Sequence, residues 1–83
     1  METASRMYLV TPQTVWQVTT EFFIERHVPF HLTFGINPVG KPALIYTVVA
    51  DGVVTEQQLA DLILEVQGYL TSYDVTPIIH LQP

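Results

Sequence analysis

The chain has 83 residues, no cysteine, and eight acidic against three basic side chains, for a net charge of −5. A chain this short makes one small domain, residues 1–83, that buries only about 60–65% of its unfolded surface. Lack of cysteine excludes disulfides, thiolate metal sites and Cys nucleophiles, and three scattered cations, Arg6, Arg26 and Lys41, cannot neutralise a nucleic-acid backbone or an anionic membrane.

Charged residues are 13% of the chain and hydrophobic ones 48%, where an ordinary domain has about 25% charged. So few ionised groups leave part of a small exterior apolar, and apolar exterior marks a surface for another polypeptide. No apolar run approaches the ~20 residues of a membrane span. The opening "METASRMYLV" lacks the apolar core of a secretion signal, and the expected location is cytoplasmic.

In chain order, "RMYLV" at 6–10 is short and apolar and reads as a strand. Thr11 and Pro12 have the chemistry of a helix N-cap and first helical residue. Apolar positions then recur at Val15, Val18, Thr19, Phe22 and Phe23, with Gln13, Gln17, Glu21 and Glu25 on the opposite side, which predicts a helix. Pro29 forces the chain out of that helix by His27 or Val28.

"FHLTFGI" at 30–36 alternates Phe30, Leu32, Phe34 and Ile36 with His31, Thr33 and Gly35, the pattern of a strand with one buried face. "NPVGKP" is a loop. "ALIYTVVA" at 43–50 is apolar on both sides apart from Thr47 and the Tyr46 hydroxyl, and predicts a central strand covered on both faces. After the Asp51-Gly52 turn, Thr55 and Gln58 have capping-box spacing. The stripe Leu59, Leu62, Ile63, Val66, Leu70, Tyr73 defines a second helix. "VTPIIHLQ" closes the chain as a strand, and Pro77 favours an edge.

The order is βαββαβ, an α+β ferredoxin-like sandwich with two helices on one face of an antiparallel sheet. Its first and third strands are central, which suits the continuously apolar "MYLV" and "ALIYTVVA". Were 6–10 not a strand, the order would be αββαβ with a three-stranded sheet.

No constellation of reactive residues survives inspection. Glu25, His27 and His31 fall within seven residues, but Pro29 breaks the helical spacing that would put both histidines on one face. His31 and His80 belong to opposite edges, roughly 14 Å apart, too far to share an ion. "NPVGKP" lacks the glycines, Ser/Thr and following helix of a phosphate loop, and "VADGV" lacks the ligands of a calcium loop. Ser5 and Ser72 have no adjacent His–acid pair. Glu21 and Glu25 read as a solvated helix face. Tyr8 and Tyr46 could stack bases, but the basic signature of an RNA-binding sheet is missing.

The chain is therefore expected to be no enzyme, with no catalytic, cofactor or metal residues. Off-stripe apolar positions are the candidates for partner binding: Ile24 on the first helix, Leu64 and the bare Gly68 on the second, and Tyr46 and Ile78 on the sheet. A non-catalytic protein–protein interaction module is expected, an adaptor, inhibitor or assembly subunit. It would act through an apolar sheet or helix face, as a homo-oligomer, with acidity suited to a basic protein surface. The alternative is a regulatory domain sensing a small ligand at a dimer interface.

Overall fold

The computed structural model describes residues 5–82, so Glu2 and the rest of the first four residues lie outside it. The elements are β1 (Arg6–Pro12), a 3-10 turn (Gln13–Val15), α1 (Trp16–Glu25), β2 (His31–Ile36), β3 (Pro42–Val49), α2 (Glu56–Thr71) and β4 (Ile78–Gln82). The four strands form one sheet in the order β2-β3-β1-β4, every neighbouring pair antiparallel. This is the α+β, ferredoxin-like βαββαβ arrangement, with β1 and β3 central. The strand at 6–10 forms, which removes the three-stranded alternative.

Register decides which side chains meet. Leu32, Tyr46, Leu9 and Ile79 make one row across the sheet, flanked by Val48, Met7 and Leu81 on one side and Phe34, Leu44 and Thr11 on the other. Both helices pack on this face. Met7, Leu9, Leu44, Tyr46 and Val48 are buried there against Phe22 and Phe23 of α1 and Leu59, Leu62, Val66 and Leu70 of α2. The other face carries the rows His31–Thr47–Tyr8–His80 and Thr33–Ile45–Val10–Ile78. The expectation that β3 is covered on both sides therefore fails. Helices lie on one side only, and Ile45 and Val10 owe their partial burial to the residues beside them on the sheet.

The start of the first helix also differs from the sequence reading. Thr11 and Pro12 continue β1, opposite Leu44 and Ala43, and α1 begins only at Trp16. Thr11 is 1% exposed, so its side chain belongs to the core and not to a solvent-facing cap. Its hydroxyl has no hydrogen-bond partner, whereas that of buried Thr19 donates to the Val15 carbonyl at 2.8 Å.

Helix ends follow local chemistry. Gln58 N–H donates to Thr55 Oγ1 at 3.1 Å and Thr55 N–H to Gln58 Oε1 at 2.9 Å, completing the capping box of α2. Each helix ends in a paired-bond αL turn. His27 has φ 54° and Asp74 φ 61°. Val28 N–H reaches the Phe23 carbonyl at 3.0 Å, and Val75 N–H the Leu70 carbonyl at 3.1 Å. Both valines then pack against the core, the apolar contact that accompanies such turns. "ERHVPFH" is thus a helix exit, with His27 at its left-handed position.

Tyr46, a sequence candidate for partner binding, is 0% exposed. Its ring packs on Phe23 and Phe30, with centroids 5.4 and 5.6 Å away. Its hydroxyl lies 2.8 Å from Thr20 Oγ1 and donates to the Trp16 carbonyl at 3.1 Å. A residue so enclosed cannot meet a partner, and its role is to fasten α1 to β3.

Two variants test this packing. Thr11→Val removes an unsatisfied buried hydroxyl at constant shape, and thermal unfolding is expected to show a gain of about 1 kcal/mol, with Tm rising by about 4–8 °C. Tyr46→Phe breaks the anchor and is expected to lose about 1–2 kcal/mol. Burial raises the Tyr46 pKa above its ordinary 10.0, the Thr20 bond opposing in part. The neutral phenol's contribution is thus complete below pH 10 and is lost as pH rises further, because the unfolded chain ionises first. Alkaline unfolding of Tyr46→Phe is expected to show a shallower loss than wild type.

Candidate interaction surface

β2 presents the main departure from a closed core. Leu32, Phe34 and Ile36 stand on the helix side of the sheet, opposite Tyr46, Leu44 and Pro42, as the alternation predicts. The predicted burial fails: they are 43%, 76% and 75% exposed. The cause is the late start of α1. Tyr46 pins the Trp16 carbonyl above the middle of β3, and from there α1 runs toward Phe30, at the start of β2. Phe34 and Ile36 lie further along β2 than Leu32, the neighbour of Tyr46, on the side where only the 3-10 turn precedes the helix.

Trp16 itself is 52% exposed. With Gln13, Leu32, Phe34 and Leu44 it lines an open groove between α1 and β2. A second groove shares Gln13 and continues over Pro12, Pro42, Lys41 and Val39. The first groove is apolar apart from Gln13, whereas the second mixes Pro12, Val39 and Pro42 with Thr14, Asn37 and Lys41. The apolar band is that of Trp16 with the exposed β2 side chains Leu32, Phe34 and Ile36.

The backbone of β2 adds to this. Asn37 N–H donates to the Lys41 carbonyl at 2.9 Å, which fixes the phase of the β2–β3 ladder. Gly35, Thr33 and His31 turn their N–H and C=O groups toward β3. By the same alternation Leu32, Phe34 and Ile36 turn theirs outward. Residues with uncovered apolar side chains therefore also carry the free edge of the ladder. Proteins usually guard such an edge with lysine, proline or a bulge. β2 has neither residue, and its register runs unbroken from His31 to Ile36. The other edge strand, β4, follows Pro77 and contains His80 and Gln82.

Charge is segregated accordingly. Across positions 27–50 the only formally charged residue is Lys41. Carboxylates cluster on the helices, with Glu21 and Glu25 on α1 and Glu56, Asp61 and Glu65 on α2. The ion pair among the described residues, Arg26 Nε to Glu65 Oε2 at 2.9 Å, links the two helices with side chains 38% and 54% exposed. Such an exposed pair contributes no more than about 1 kcal/mol. Arg26 also lies over the Phe22 ring, 3.7 Å from its centroid.

The remaining sequence candidates are scattered. Ile24 and Leu64 are 59% and 70% exposed on their respective helices. Gly68 is exposed too, and a Cβ there would meet nothing within 4 Å. Ile78, 37% exposed, is on the opposite face of the sheet beside Val10. The β2 strip and Trp16 are not among the sequence candidates, although the run 27–50, with Lys41 as its one charged residue, marks the region. His31 and His80 occupy the two ends of one row on the open face. Among the described residues no group of three His, Asp or Glu side chains could hold a metal ion, and no helix is long and apolar enough to cross a membrane. No protein-family model matches the chain, and no curated protein or solved structure matches it either.

Proposed function

We propose that the chain is a non-catalytic protein interaction module that binds through the apolar band of β2 and Trp16, and that it works as a homo-oligomer. The observation that carries this reading is the 76% and 75% exposure of Phe34 and Ile36 on an unguarded edge strand. Isolated exposed apolar residues are common on any surface. A contiguous band with a tryptophan at its border is the composition of an interface centre.

Charge supports a second copy as the occupant. Each copy carries −5, and approach through the helices would set carboxylates against carboxylates. The β2 side has none to oppose. Phe34→Ser tests the proposal. Because Phe34 is exposed in the single subunit, the substitution is expected to change its stability by no more than about 0.5 kcal/mol. Light scattering after size exclusion is expected to show wild type associating at micromolar concentration and Phe34→Ser as a monomer. A variant that associates like wild type would remove the band from the account.

A further inference from the structure

We infer that the occupant of this edge is β2 of a second copy, paired antiparallel about a two-fold axis at Phe34. The two sheets then join into a single eight-stranded sheet with all four helices on one side. This rests on the interaction role proposed above and specifies its geometry.

Parity is the first constraint. Residues directly opposite in an antiparallel pair share a face, so two β2 strands with helices on the same side must pair even with even. Centring on Phe34 satisfies this. Phe34 meets its own counterpart, Leu32 meets Ile36, and Thr33 meets Gly35. All three exposed side chains on the helix side form one apolar seam, bordered by Trp16 of each copy. Centring on Thr33 instead would set Ile36 against Phe30, which precedes the strand and packs against Phe23 and Tyr46.

Hydrogen bonding agrees with the same register. The outward groups belong to Leu32, Phe34 and Ile36, and these are the residues that face one another across the axis. Each such pair exchanges two backbone bonds. No ionised side chain lies in β2, so self-pairing brings no like charges together. The exposed fractions of Trp16, Leu32, Phe34 and Ile36 amount to roughly 500 Å² per copy for side chains of this size. Complete burial of these on two copies would give at most about 1,000 Å², the threshold of a specific interface.

Site-resolved amide exchange on the full chain tests the pairing. On concentrating the protein, the amides of Leu32, Phe34 and Ile36 are expected to slow roughly tenfold or more, while those of His31, Thr33 and Gly35 are protected throughout. The cysteine-free chain allows a second readout. The double variant Leu32→Cys/Ile36→Cys, which keeps Phe34, is expected to oxidise to a covalent dimer, because the two positions face each other in a hydrogen-bonded pair whose Cα atoms lie about 5.5 Å apart, within disulfide reach. Thr33→Cys is expected to cross-link poorly. A Phe34-dependent dimer whose outward amides still exchange freely would overturn strand pairing and leave the interaction role standing. Preferential cross-linking at position 33 would overturn the register. A dimer indifferent to Phe34→Ser but dissociated by Ile45→Glu on the open face would overturn both readings, and a wild-type monomer at millimolar concentration would overturn self-pairing.

Discussion

The Tyr46 hydroxyl determines where the helical layer begins. By holding the Trp16 carbonyl and the Thr20 side chain, it seats the first turn of α1 over the centre of β3. The hydrophobic effect rewards burial wherever a layer can be laid, and α1 and α2 enclose Met7, Leu9, Tyr46 and Val48 completely. A helix that begins at that point leaves the far half of β2 beyond its N-terminal end, where only the 3-10 turn precedes it. The same bond that completes the core thus leaves Phe34 and Ile36 outside it and stands Trp16 beside them.

Charge placement reinforces this division. A small acidic domain gains solubility from its carboxylates, and here those carboxylates line the helices. The sheet edge at β2 is almost bare of ionised groups. An edge strand without charge, proline or bulge invites another strand, and such exposure is a liability unless it has a customary occupant. The self-pairing inferred above would supply one.

The strand order could be read from the sequence because central strands must be apolar along their whole length. "MYLV" and "ALIYTVVA" announce themselves against the alternating "FHLTFGI" and the proline-led last strand. The capping box at Thr55 and the stripe of α2 as far as Leu70 were equally plain, whereas Tyr73 lies beyond the helix end at Thr71 and is 47% exposed. Thr11 and Pro12 misled because a hydroxyl followed by proline fits both a helix start and the last residues of a strand. Tyr46 misled because a run that is apolar on both sides does not say which side the helices take. Alternation in β2 correctly separated an apolar face from a polar one. Whether that face would be covered depended on where α1 begins and is anchored, a tertiary fact that the strand's own residues do not encode.

Trp16 is the only tryptophan in the chain and borders the disputed surface, so its fluorescence reports directly on whether that surface is closed by a second copy. The account predicts that, from dilute to concentrated protein, its emission moves to shorter wavelength and acrylamide quenching weakens. Emission and quenching that stay constant while the protein associates would contradict it.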